Sequence, residues 1–481
     1  MRSRWSSSPR VAGTLIAAFI FGGCVGAPPG SPSTPPPGDV TPATAPGGEK
    51  PPPVTAVPGN TPGNAPGSEG FALYRQAGLL AQAGPIPFVG SVRFFAAGSD
   101  DSTLVLVALS LANRSFLFSP ESNGDKATFA VVVSARDSTK VVARVEDQEI
   151  IRVATFKETT RGDESVVFER YLTLPPGKYA IAVTVSDRGS TATNSAQVTV
   201  VVPRLGAGTL SSPTNVHRAT PRARRDTLPN LIANPRATLT FGRDTVAPVY
   251  LEAYALPAGS RIALTVVNPD GLALMRDMIT LTRAEPIAAA VFELPMTRVG
   301  LGRRLVYTTV VGSRDTTQTP LWVTVGEGIG IVGFEELLSY LRYFATPERL
   351  QALRNLPASQ RAAGWAAFWK ETDPNPATAE NEALRDYFER ITIANQRFRE
   401  QGTPGWLSDR GKVFITLGEP DQIMGGNGQS APTTTGGSQY WAYSRHQIRL
   451  EFVDQNGFGR WRLTSRSESQ FDQVASMERV H

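Results

Sequence analysis

Between Phe71 and Val325 the apolar residues follow the period of a strand, and beyond Gly328 they follow that of a helix. This switch limits the folds open to the chain more than any other feature. Tyr179-Ala180-Ile181-Ala182-Val183-Thr184-Val185 places its large residues at every second position. Successive side chains of a strand point to opposite faces, so this pattern buries one face and wets the other. Leu104–Leu109 and Phe129–Val133 are unbroken apolar runs that read as buried strands. Further runs near 92–97, 141–145, 150–155, 165–172 and 196–202 bring the count to about eight. Short strands with turn signals between them specify a β-sandwich over residues 69–205.

The segment Leu174-Pro175-Pro176-Gly177-Lys178-Tyr179 resembles those of immunoglobulin-like and fibronectin-like modules, which implies fold only. Strands resume over 231–326 with Val249–Tyr254 and Ile262–Val267, and Asn268-Pro269-Asp270-Gly271 is a turn. With Phe292, Leu294, Leu305, Tyr307 and Trp322 as further core, this region reads as a second sandwich. Residues 206–230, broken by Pro213, Pro221 and Pro229, read as a linker. Its Arg218, Arg222, Arg224 and Arg225 are expected to be a solvated loop, with anionic lipid or polymer as the functional alternative. No acid/base pair stands out in either β region.

The C-terminal part, 327–475, is expected to be α+β: helices, then a small antiparallel sheet. Phe334–Phe344 has helical spacing, and Thr346-Pro347 caps a second helix. A third contains Trp365, Phe368 and Trp369. The fourth is expected to start at a Thr378 cap and to bury Leu384, Tyr387, Phe388, Ile391, Ala394 and Phe398, stopping at Gly402 and Pro404. Lys412–Gly418 reads as a short apolar strand, and Glu419-Pro420-Asp421 as a tight turn. A glycine-rich loop, 425–437, precedes strands at Gln439–Tyr443, Ile448–Phe452 and Trp461–Leu463, and the end is expected to fray.

Residues 1–23 combine a basic start, an apolar run from Val11 to Phe21 and small residues before Cys24, the layout of a signal peptide. Phe21-Gly22-Gly23-Cys24 resembles a bacterial lipobox, which implies lipidation of Cys24 and anchoring in a membrane. By the same resemblance, Val25 rather than aspartate favours the outer membrane, facing the periplasm or the cell surface. Residues 24–68 are rich in proline and glycine and have almost nothing to bury, as a disordered tether would. The single cysteine excludes an internal disulfide, and with only His217, His446 and His481 beside it no metal site or cofactor is expected. Arg2, Arg4 and Arg10 precede Cys24 with no acid among them, so a chain starting there keeps +2 of the +5 charge. That balance gives no support to a nucleic-acid partner.

Gly405-Trp406, one residue, then Ser408-Asp409-Arg410-Gly411 resembles the signature of the GWxTD domain, with serine where threonine is usual. The likeness extends from Trp369, Asp373-Pro374, Asn381-Glu382 and Asn395 to Gly418, Pro420-Asp421, Trp441 and Asp454, roughly residues 330–465. It implies an envelope or secreted bacterial protein and no particular reaction. Read physically, Trp406 can plug a junction between helices and sheet, Asp409 can accept backbone hydrogen bonds or pair with an arginine, and Gly411 can supply a backbone shape other residues resist. Five tryptophans, 365, 369, 406, 441 and 461, could instead form a stacking surface with Tyr440 and Tyr443, though a tryptophan-rich core is expected for most of them. A hydrolase acting on an envelope polymer would use Asp409, Glu419, Asp421 or Asp454 as acid and base, or His446 as base. The favoured expectation is a lipid-anchored envelope protein that binds or scaffolds a protein or glycan partner.

Overall fold

Strand Thr103–Ala112 is buried at every position, which one sandwich alone does not require. The reason is that its sheet is covered on both faces. This computed structural model describes residues 68–159, 165–326, 332–378, 380–425 and 437–479. The expected signal peptide, nearly all of the tether, Cys24, most of the glycine-rich loop and His481 lie outside the described residues. The first sheet runs in the order Leu80–Gln82, Phe88–Ala96, Thr103–Ala112, Ser165–Leu174. A second sheet, Ser119–Glu121, Gly124–Arg136, Gly177–Asp187, Thr193–Val202, faces it, and Val141–Val153 pairs along Gly124–Arg136. The two runs expected at 141–145 and 150–155 are thus one strand. Val105, Val107, Leu109 and Leu111 meet Phe129, Val131, Ile181 and Val183 between these sheets. Leu104, Leu106 and Ala108 point the other way, onto Val216, Leu231, Tyr250 and Tyr254. The period-2 rule therefore holds within the continuous run, with a core on each side.

The expected linker 206–230 is corrected by the structure. Thr214–Thr220 and Asn230–Ala233 are paired strands that continue into Val246–Tyr254 and Ile287–Pro295. Pro213, Pro221 and Pro229 stand immediately outside these strands, where proline takes no hydrogen bond from the ladder. Nor is the arginine cluster all solvated. Arg222 is buried and donates from Nε and Nη2 to the two carboxylate oxygens of fully buried Glu252, each at 2.9 Å. The hydroxyls of Tyr250 and Tyr254 donate to the same carboxylate at 2.7 Å each. Arg222 Nη2 also donates to Ala96 O at 2.8 Å, and Arg225 Nε to Ala97 O at 2.9 Å, which ties this stretch to the first sheet. An acid–base pair is therefore present in the β region, fully hydrogen-bonded and enclosed.

The opposing sheet is Thr238–Thr240, Thr316–Thr324, Gly302–Val310, Arg261–Val267, Ala273–Thr280, antiparallel except for the first pair. The turn at 268–271 forms as expected, with Asn268 Oδ1 accepting from Asp270 N and Leu272 N. The C-terminal helix Arg361–Glu371 packs onto this sandwich. Phe241 meets Trp365 and Trp369 edge-on at 6.2 and 5.3 Å. A Cβ at Gly242 would stand 2.1 Å from the Trp369 ring, so only glycine lets the indole lie on the backbone there.

Helices and a four-stranded antiparallel sheet, Gln422–Met424, Gly437–Tyr443, Ile448–Asp454, Arg462–Leu463, complete the fold. Three expectations change here. The long helix is Glu382–Arg397 and its cap is Asn381, whose side chain accepts from Leu384 N; Thr378 lies before it and donates to Glu382. The stretch read as a strand at 412–418 is the helix Asp409–Leu417, closed by Gly418 at φ 84°. Its β-branched residues suit a strand, but a serine cap and a terminal glycine fix a helix around them. The end does not fray before Ser465–Glu478, a helix that buries Phe471, Val474 and Ala475.

Candidate functional site

The motif residues form a corner in which backbone meets backbone. Gly405–Leu407 is one turn of 3-10 helix lying against the end of Glu382–Arg397. A Cβ on Gly405 would sit 1.9 Å from Ala394 O, and a Cβ on Gly411 would sit 1.9 Å from Gly405 O. Both glycines are thus fixed by close approach; neither has positive φ. Ser408, fully buried, caps the next helix: its Oγ accepts from Gly411 N at 3.0 Å and donates to Gly405 O at 2.8 Å. Trp406 N donates to Asn395 Oδ1 at 3.1 Å, so the two helices are joined through the motif.

Trp406 is 8% exposed. Its ring packs on Tyr340 at 4.7 Å between centroids, with the Arg342 guanidinium 4.9 Å from the ring centre. It plugs helix against helix, where a helix–sheet junction was expected. Trp365, Trp441 and Trp461 are buried and Trp369 is half-buried, so the tryptophans are core and the stacking surface is not formed by them.

Asp409 Oδ2 accepts from Leu463 N at 2.9 Å and thereby ties the corner to the last strand. Its Oδ1 lies 3.9 Å from Arg462 Nη1, and the same nitrogen is 3.5 Å from Oε2 of Glu400. Glu400 is a functional-looking carboxylate that the sequence reading missed. Its side chain is fully buried and Oε1 accepts from Trp461 N at 3.0 Å. Arg410 lies between aromatic faces, 5.6 Å from the Phe398 ring centre and 5.1 Å from that of Trp461. Its buried Nε has no hydrogen-bond partner, and burial lowers its pKa against the pull of Glu400 and Asp454. Asp454 accepts from Gly459 N at 2.6 Å and leaves Oδ1 unpartnered.

The other expected acids do not join this cluster. Glu419 takes both Nη1 and Nη2 of Arg397, at 2.6 and 2.9 Å, on the surface. Asp421 accepts from Ser444 N at 2.6 Å, which holds its pKa low. His446 Nε2 lies 3.8 Å from Glu478 on the terminal helix. Among the described residues no set of His, Cys, Asp and Glu could hold a metal ion, and no helix is long and apolar enough to cross a membrane.

The family model of the GWxTD domain matches residues 310–470, about a third of the chain. The match begins inside the second sandwich, before strand Thr316–Thr324, earlier than the motif residues alone indicated. No curated protein matches the chain.

Proposed function

We propose that this chain, which carries a GWxTD domain at residues 310–470, is a lipid-anchored bacterial envelope protein that binds or scaffolds a protein or glycan partner. Lipidated Cys24 is the anchor and residues 25–68 are the tether, which set the folded part on the outer membrane, facing the periplasm or the cell surface. The observation that favours binding over hydrolysis is that each candidate acid is already held by the fold, including Glu400 and Asp454, which accept from Trp461 N and Gly459 N. Asp409 is held by a backbone amide of the last strand, Glu419 by Arg397 and Asp421 by Ser444 N, while His446 sits beside Glu478. A hydrolase needs two such groups facing one substrate.

The test is metabolic labelling with a palmitate analogue, followed by crosslinking in intact cells. Wild type should label, sediment with membranes and crosslink to an envelope component, and Cys24→Ser should lose label and become soluble. An unlabelled, soluble wild type would sink the anchoring. Cleavage of an envelope polymer by the purified chain, abolished by Asp409→Asn, would replace binding with hydrolysis.

A further inference from the structure

A cavity of about 550 Å³ opens where the first sheet meets the second sandwich, lined among others by Gln76, Arg93, Arg303, Arg304, Tyr307 and Gln318. Three arginines line it, and none of its described lining residues is Asp or Glu. Its volume lies in the range of pockets for small molecules.

The three arginines differ in how they are held. Arg304 donates to the carbonyls of Val299 at 2.7 Å and Leu301, at the end of the short helix Met296–Val299, and to its neighbour Arg303 O. It is pinned, and contributes a fixed positive charge. Arg93 donates to Val92 O at 3.2 Å and to Thr319 Oγ1 at 2.9 Å. A guanidinium has five N–H donors, so these contacts leave capacity unused. The exposed Arg303 side chain makes no hydrogen bond or ion pair among the described residues. No carboxylate pairs with any of the three among the described residues. Burial lowers Arg93 and Arg304 to about 10, with no acid opposing it. A partly desolvated cation without a counter-charge is unfavourable, and a bound anion relieves that.

We propose that this cavity is a binding site for a small anionic sugar, its phosphate or carboxylate seated between Arg93 and Arg303. A guanidinium fork matches the paired oxygens of either group. The carboxamides of Gln76 and Gln318 and the Tyr307 side chain line the rest and suit hydroxyl groups. The site stands apart from the motif corner and does not depend on the anchoring of Cys24.

Calorimetric titration of the full chain at low salt, with inorganic phosphate, glucose 6-phosphate and glucuronate, tests it. Saturable one-to-one binding of at least one sugar is expected. Phosphate sugar over glucuronate identifies the anion as phosphate, and the reverse identifies a carboxylate. Arg303→Gln and Arg93→Gln should each weaken binding about tenfold or more, the loss of a charge-assisted hydrogen bond. Arg445→Gln, at an exposed site elsewhere, should leave it unchanged. Because Arg303 is exposed and unbonded, its variant folds even where Arg93→Gln does not. The proposal is overturned if neither sugar binds saturably at millimolar concentration, or if Arg303→Gln binds as wild type does.

Discussion

Gly405→Ala is the most direct probe of the corner. The added methyl would stand 1.9 Å from Ala394 O, 2.7 Å from Ala394 C and 2.8 Å from Asn395 Cα. All three are backbone atoms, so no rotamer change relieves the clash; helix Glu382–Arg397 or the Gly405 turn must move. Overpacking of this kind costs about 1–3 kcal/mol. The movement also weakens the Trp406 N–Asn395 hydrogen bond, worth about 1 kcal/mol. Against this, alanine restricts the unfolded chain and stabilises by about 0.4–1 kcal/mol. The net expectation is a loss of about 1–3.5 kcal/mol, which at a urea slope of about 3 kcal/mol/M lowers the midpoint by about 0.3–1 M. Tryptophan fluorescence is a suitable probe, because Trp406 lies at the corner itself. Gly326→Ala is the control: nothing lies within 4 Å of its Cβ and its φ is not positive, so only the small unfolded-state gain remains. If Gly405→Ala unfolds at the same urea concentration as Gly326→Ala, the close-approach argument for the motif glycines is wrong.

Ser408→Ala removes a helix cap and a buried donor together and should cost about 1–2 kcal/mol by urea denaturation, while Gly411→Ala should resemble Gly405→Ala. Glu252→Gln leaves Arg222 buried without its counter-charge; a loss of about 3–5 kcal/mol is expected. Arg224→Gln, on an exposed side chain nearby, should change stability by less than about 0.5 kcal/mol in the same assay. Burial raises the pKa of Glu169 against the hydrogen bond from Ala233 N. The folded state therefore holds this proton more tightly than the unfolded state. Its stabilising contribution is complete below the unfolded value near 4.5 and declines as pH rises through the folded value. Denaturation midpoints of wild type and Glu169→Gln should accordingly diverge from pH 4 to pH 7, wild type losing ground; parallel curves would contradict the assignment.

Periodicity makes most of the β region legible in the sequence. Tyr179–Val185 alternates in the structure as in the sequence, because only one face of its sheet carries a core. The same reading failed at 206–230. Three prolines and four arginines resemble a loop, and the partners that bury Arg222 are Glu252 and Ala96, 30 and 126 residues away. No local pattern reports a contact at that separation. At Lys412–Leu417 the composition suited either state, and the Ser408 cap with Gly418 decided it. Both residues are visible in the sequence, and they outweigh the apolar run between them. Glu400 was missed for a related reason: it follows the helical pattern, near Gly402, where charges ordinarily face solvent. Its burial depends on Trp461 and Arg462 arriving at the start of the last strand.

The geometry of the corner bears on where function should be sought. Gly405 and Gly411 are set by backbone contact, Ser408 by a cap, Trp406 by packing, and Asp409 by an amide of the last strand. Each residue has a structural duty that accounts for its type. Near the corner, Arg410 Nε and Asp454 Oδ1 are buried without partners, and elsewhere three arginines, Arg93 among them, line the cavity. The first pair is buried within the fold. The second faces an open cavity and lacks a counter-charge. A signature can thus mark a domain by the demands of its tightest turn, while the proposed anion site shares none of its residues.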